Sequence, residues 1–269
     1  MKRMVSAWSV LLCLTLPAIS QPVLAGASDE SAPSADVWPS LAAEVFPGRA
    51  IMDDGTATLE APVRADDAAV VPMTIRFSTL GLVDKATLLI DQNPMPVAGA
   101  FTIGEHAGVG FIETRVRVDS YTNVHVVTQT KDGALHAVAR FVKASGGCSA
   151  PSGNSAGEAK ANLGQMKYRE FRSAEPGRRE AQVMIRHPNH SGMQMDQVSH
   201  IYTPAHYIDR LEVRQGKALI FAVESGISLS QNPSFRFDYA DNGAGTISVE
   251  AHDSEGGVFK EEWPVAQPQ

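Results

Sequence analysis

The chain of 269 residues holds two cysteines, Cys13 and Cys148. Cys13 falls in an amino-terminal apolar run, so a single thiol is left for the rest of the chain and an internal disulfide framework is excluded. A chain of this size can build its core without such staples. Cations are also short, with 23 Lys and Arg against 30 Asp and Glu. Nucleic acid and anionic lipid call for clustered Lys and Arg, so neither is expected as a partner. Beyond the first 25 residues no apolar run approaches the roughly 20 residues that a membrane helix needs, and membrane insertion is not expected. Enzyme signatures are missing too. There is no nucleophile elbow, and no glycine-rich phosphate loop follows a strand and opens a helix. Ser, His and Asp occur in no recognisable catalytic order, so no catalytic site, no cofactor and no enzymatic turnover of its own are expected.

What is present begins with an address. Lys2 and Arg3 precede an apolar stretch at 10–16, and Val23, Leu24 and Ala25 suit a signal peptidase. Residues 1–25 read as an export signal cleaved near Ala25, with the periplasm as destination. Leu12 stands where a lipoprotein signal wants a small residue, so Cys13 is expected to leave with the signal. That removal leaves 21 basic residues against 30 acidic ones, a net charge of −9.

Next comes a short predicted helix from Asp36 to Phe46, with Pro39 in its first turn and Trp38, Leu41 and Val45 on one face. Pro47 and Gly48 stop it. The period then becomes two: Val71, Met73, Ile75 and Phe77 alternate, as do Ala86, Leu88 and Ile90, then Val124, Val126 and Thr128, then Leu135, Ala137, Ala139 and Phe141. Asn93, Pro94 and Pro96 supply one turn, and Lys131, Asp132 and Gly133 another. After a Gly/Ser/Ala-rich stretch the alternation resumes at 181–186, 207–213, 217–223, 234–239, 246–251 and 258–263. Gln215 with Gly216, and Asp241 with Asn242 and Gly243, read as hairpin signals. Trp38, Trp263, Phe235 and Phe237 sit within apolar alternation and are expected in the core. The predicted fold is mainly β: two immunoglobulin-like antiparallel sandwiches at 37–143 and 166–264, with a flexible linker at 144–165 and a short helix in front.

The linker carries Ser145, Gly146, Gly147, Cys148 and Ser149. With so little apolar content around it, Cys148 is expected to be exposed on an arm, with Gly146 and Gly147 supplying slack. A lone thiol in an oxidising compartment invites explanation as an intermolecular partner or a reactive thiol, with an inert buried cysteine as the plainer alternative. Lys143 is the only cation near it in sequence, so activation of the thiolate is expected from a partner.

At this point the residues resemble a known pair of proteins. Val71, Pro72 and Met73, the run from Asp91 through Pro96, the strand Arg115, Val116 and Arg117, the turn Lys131, Asp132 and Gly133, and Gly146, Gly147 and Cys148 resemble SoxY, the sulfur-carrying subunit of bacterial thiosulfate oxidation. His187 and Pro188, the run from Pro204 to Ile208, the turn from Ser230 to Pro233 leading to Phe235 and Phe237, and the stretch from Asp253 to Gly257 resemble its partner SoxZ. The chain is thus similar to fused SoxYZ-like carriers associated with quinoprotein dehydrogenases. The resemblance implies that Cys148 is the covalent attachment site for a thiosulfate-derived sulfur intermediate. It implies partner redox enzymes or cytochromes of a sulfur- or alcohol-oxidising system, and two domains that pack on each other. The chain departs from the family where Cys148 is followed by Ser149, Ala150, Pro151 and a whole domain rather than by a chain end, so any arm is a loop two strands thick.

Two other readings remain. His187, His190, Met193 and Met195, with His200 and His206 downstream, mix imidazole and thioether in a way that suits copper or another metal; the favoured reading is a polar loop with packing methionines, and no metal is expected. A passive accessory or scaffold subunit for a quinoprotein dehydrogenase needs no reactive Cys148 at all.

Overall fold

The computed structural model describes residues 36–151, 162–173, 175–196 and 199–265. The predicted export signal, with Cys13, and residues 152–161 of the predicted linker lie outside them. Helix α1 (Trp38–Val45) comes first, with the Asp36 carboxylate accepting the Trp38 N–H at 3.1 Å and Pro39 in the opening turn. In the first half follow β1 (Ile51–Met52), β2 (Ala57–Glu60), β3 (Val71–Phe77), β4 (Val83–Ile90), β5 (Val97–Ile103), β6 (Phe111–Val116), β7 (Thr122–Thr130) and β8 (Leu135–Val142). The second half holds β9 (Met166–Phe171), β10 (Arg178–Ile185), β11 (Ile208–Gln215), β12 (Ala218–Ser225), β13 (Ser234–Ala240), β14 (Thr246–Asp253) and β15 (Val258–Pro264).

These strands form two sheets, and both run through both halves. One has the order β1-β8-β7-β4-β5-β12-β11-β14-β15 and the other β2-β3-β6-β13-β10-β9. Each half is an antiparallel sandwich apart from the short parallel pair β1 and β8, and the two sandwiches abut edge to edge. At one seam β5 pairs with β12, from Ile103 opposite Phe221 to Gly99 opposite Ser225. At the other, β6 pairs with β13 through Glu113 opposite Arg236 and Ile112 opposite Phe237. The core is consequently continuous, and Phe101, Phe221, Phe235 and Phe237 cluster where the halves meet, with Phe237 packed edge-on to Phe221 at 5.0 Å. Phe235 and Phe237 are core residues, as their alternation predicts.

Specific residues close the seams. A side chain at Gly104 would place its Cβ 1.8 Å from the Leu219 carbonyl oxygen, so only glycine lets β5 run close enough to β12. Across the other seam, one Asp238 oxygen accepts the backbone N–H groups of Gly110 and Phe111 at 2.7 and 2.8 Å, while its second oxygen pairs with Arg178.

Two readings from the sequence need correction. Asp241, Asn242 and Gly243 do not close a hairpin: β13 and β14 lie in different sheets, so this turn carries the chain from one layer to the other. The Asx-type bonding of Asp241 and Asn242 is what made it look like a hairpin. Simple alternation also fails in β4 and β7, where Leu89 and Val127 are buried on the face opposite the core. There Leu41 of α1, with Leu135 and Ala137, makes a second apolar layer. Trp38 stacks on His125 at 3.7 Å, and Asp91 holds that imidazole at 2.9 Å.

Because the halves share one core, truncating a seam residue is expected to weaken both at once. Phe221→Ala should cost about 3–5 kcal/mol, and urea unfolding followed by tryptophan fluorescence and by far-UV circular dichroism should remain a single coincident transition. Two separated transitions would show that the halves unfold independently.

Candidate functional site

Cys148 is buried. The exposed arm expected from the sequence is therefore corrected: the stretch before Pro151 is folded onto the protein. It lacks apolar side chains, yet its backbone is held by polar groups from distant elements, and sequence composition cannot register those.

The turn is pinned on one side to the segment after β6. Gly146 N–H donates to the Asp119 carbonyl at 2.8 Å and Gly147 N–H to the Val118 carbonyl at 3.0 Å. Cys148 N–H reaches the Asp119 carboxylate at 3.3 Å. Gly146 has a φ of +77°, the left-handed region that glycine occupies freely. Gly147 serves close approach and not slack, since a Cβ there would fall 2.1 Å from the Ala68 carbonyl oxygen.

The other side is held by the second half of the chain. Ser191 donates its hydroxyl to the Cys148 carbonyl, and Gln194 donates its amide to the Ala150 carbonyl at 3.0 Å. The buried guanidinium of Arg117 bridges the halves, donating to the Gly147 carbonyl at 3.0 Å and to the Asn189 carbonyl at 3.3 Å. Its Nε has no hydrogen-bond partner among the described residues. Both Asn-Pro turns support the arrangement. Asn93 accepts the Asp119 N–H at 2.9 Å and donates to the Arg117 carbonyl at 2.8 Å, while Asn232 accepts the His187 N–H at 3.2 Å.

This environment keeps the sulfur protonated. Burial is the main cause pushing the Cys148 thiol up to about 12, the Asp119 charge adds to it, and Arg117 opposes. Burial also lowers the Arg117 guanidinium from its ordinary value. A thiol raised in this way favours the folded state below its ordinary pKa near 9, and that contribution is lost as pH climbs toward 12.

The histidines of the second half are arranged differently from the set read from the sequence. His187 meets His206 and Asp253, with His187 Nε2 to His206 Nε2 at 3.2 Å, His206 Nε2 to Asp253 Oδ2 at 2.9 Å and His187 Nε2 to Asp253 Oδ2 at 3.6 Å. Burial depresses His187 to about 4, so it stands neutral. His190 instead turns Nδ1 to the Gln194 carbonyl oxygen at 3.0 Å, and Met193 and Met195 are half-buried in the same loop. Asp253, Arg117, Asp119, Ser191 and Gln194 were not legible as site residues. The one sign was an arginine ending an alternating apolar strand.

Fold and site together define a paired β-sandwich protein whose distinctive chemistry is one sequestered thiol. Residues 42–148 match the family model "Sulfur oxidation protein SoxY" and residues 169–264 match "Sulphur oxidation protein SoxZ". The chain belongs to this sulfur-oxidation carrier family as a fused SoxYZ-like protein, whose SoxY and SoxZ relatives are in general carriers and not catalysts. Among solved structures it is similar to the sulfur carrier protein SoxY from Chlorobium limicola f thiosulfatophilum, at 26% identity over 43% of this chain and 97% of that one, with a TM-score of 0.36. A β-glucuronidase from Parabacteroides merdae matches at 9% identity over 79% of this chain and 25% of its own, with a TM-score of 0.25. The search of curated proteins returns no match.

The burial of Cys148 has a kinetic consequence. Alkylation of the folded protein at pH 7.5 should run about a thousandfold below that of the urea-unfolded chain from protonation alone. Its rate should keep rising about tenfold per pH unit past pH 9, where the unfolded control levels off. Ser191→Ala removes one bond worth about 0.5–1.5 kcal/mol and should speed labelling roughly two- to tenfold. Rapid labelling of the parent protein at neutral pH would contradict this sequestered state.

Proposed function

We propose that the protein is an exported, periplasmic sulfur carrier that holds a thiosulfate-derived group on Cys148 and hands it to partner redox enzymes or cytochromes. The observation that carries this reading is position: Cys148 is the free thiol of the described chain and the last residue of the SoxY match. Joining the Cys148 sulfur to the outer sulfur of thiosulfate makes one S–S bond and releases one proton and two electrons. The thiol contributes the proton, and the partner cytochrome accepts the electrons. The adduct is an anion, and the unsatisfied Arg117 Nε next to the turn suits it.

Loading requires the turn to leave its seat, because a buried thiol cannot enter a partner's cleft. Among the bonds that hold it, those from Ser191 and Gln194 come from the SoxZ-like half and are neutral and individually modest, so docking at that half would trigger release. The chain continues past Pro151, which gives the released segment two strands and calls for a wider cleft than a free tail does. A quinoprotein dehydrogenase or another alcohol-oxidising system is the context suggested by the fused arrangement. The buried, protonated thiol also favours a second reading, an accessory subunit in which Cys148 only packs.

The two readings separate on the intact mass of the protein isolated from its own compartment, before and after mild reduction. The carrier reading expects a reducible adduct of sulfur or thiosulfate mass on the Cys148 peptide, absent from Cys148→Ser. It also expects slower turnover than the heterodimeric carrier in a reconstituted thiosulfate oxidation assay. An unmodified thiol under all growth conditions, with Cys148→Ser fully functional, would favour the accessory reading.

A further inference from the structure

We infer that His187, His206 and Asp253 form a binding site for a divalent zinc-type ion in the SoxZ-like half, separate from the Cys148 thiol. The three facing atoms, His187 Nε2, His206 Nε2 and Asp253 Oδ2, stand 2.9, 3.2 and 3.6 Å apart. A tetrahedral ion with bonds of about 2.0–2.1 Å to nitrogen and oxygen holds its ligand atoms about 3.3 Å from one another. One ion can therefore reach all three with little movement of the side chains. Two imidazoles and one carboxylate form a borderline donor set that zinc accepts, and the absence of sulfur argues against a copper(I) preference.

The surroundings are built for these three ligands. Asp253 spends Oδ1 on the backbone N–H groups of Gly257 and Glu255, at 2.7 and 3.0 Å, which leaves Oδ2 turned to the histidines. A Cβ on Gly257 would lie 2.6 Å from Oδ2, so the cradle around this oxygen requires glycine. Asn189 presents its side-chain amide oxygen 2.8 Å from His187 Nδ1 and its backbone N–H at 3.1 Å, so either imidazole tautomer has a partner. The amide oxygen serves the tautomer whose Nε2 carries a lone pair toward the ion, the usual outer support of a metal-bound histidine. Asn189 itself is fully buried and fixed by the Ile208 N–H at 3.1 Å. His206 is the partly exposed member and marks the entry side. There the exposed Glu255 carboxylate lies 3.9 Å from His206 Nε2.

The set joins two stretches far apart in sequence, the loops before β11 and the β14–β15 turn. His187 and His206 belong to the histidine set seen in the sequence, whereas Asp253, distant along the chain, is joined to them only by the fold. Aspartate and the second histidine come from 66 and 19 residues beyond His187.

The test uses the full mature chain, with its affinity tag removed, stripped with chelator and titrated with zinc by calorimetry. One zinc per chain is expected, together with a rise in the unfolding temperature. With cobalt as the probe, a visible ligand-field spectrum of tetrahedral nitrogen and oxygen ligation without a thiolate charge-transfer band is expected, and it should persist in Cys148→Ser. His206→Gln, at the partly exposed position, should fold with an unchanged metal-free unfolding temperature and lose about a hundredfold or more in zinc affinity. Glu255→Gln should lose less. Absence of stoichiometric zinc, an affinity unmoved by His206→Gln, or a cobalt spectrum that vanishes in Cys148→Ser would each overturn the assignment. None of these readouts depends on whether Cys148 carries sulfur.

Discussion

The edge of a β-sheet exposes a row of backbone donors and acceptors, and a sandwich with two open edges also exposes the side of its core. Each half of this chain, taken alone, would present such edges, at β5 and β6 in one and at β12 and β13 in the other. Pairing them satisfies the backbone groups and buries the phenylalanines that span the junction. Gly104 and Asp238 make the approach possible, one by having no side chain and the other by capping a strand start in the opposite half. The geometry of the thiol follows from that junction, because residues 187–194 can hold the Cys148 turn only while the seams are closed.

In the carrier role proposed for Cys148, its seat would serve both storage and transfer. A reactive thiolate standing in solvent in an oxidising compartment would pair with any other thiol or be oxidised. Burial, with Asp119 against it, keeps the proton on sulfur, and the opposing charge of Arg117 is too weak to reverse this. Besides the burial of the Cys148 side chain itself, the ties that keep it there are hydrogen bonds made by the backbone of the turn. Such ties can be exchanged for equivalent ones with water or a partner's surface at little net cost, whereas an apolar side chain drawn from a core would lose its burial energy outright. A turn poor in apolar residues is thus the kind that can be both seated and released.

Much of the fold was legible because each strand with a wet face shows the alternation of its burial, as β3 and β14 do. Where a third layer covers the sheet, as α1 covers Leu89 and Val127, alternation disappears and the strand looks simply apolar. Joining of the halves left no local mark, since strand pairing across a seam depends on residues more than 100 positions apart. The site was legible only as single residues. Cys148 stands out by its rarity, but the seat that defines its chemistry is built by Arg117, Asp119, Ser191 and Gln194 from two separate stretches. Composition around Cys148 pointed the other way, because a Gly/Ser-rich segment reads as solvated whenever the polar groups that bind it lie elsewhere.

Asn189 shows how the two features of the second half are coupled. Its side-chain oxygen faces His187, and its backbone carbonyl accepts from Arg117, which in turn holds Gly147. Its φ of +44° is uncommon for a residue with a side chain and is tolerated because the side chain is tied at both ends. A shift of the His187 ring therefore moves the same residue whose carbonyl anchors the guanidinium beside the thiol turn. The physical link is a continuous run of hydrogen bonds from the His187 ring through Asn189 and Arg117 to the Gly147 carbonyl, so the histidine cluster and the thiol turn share one short path across the junction.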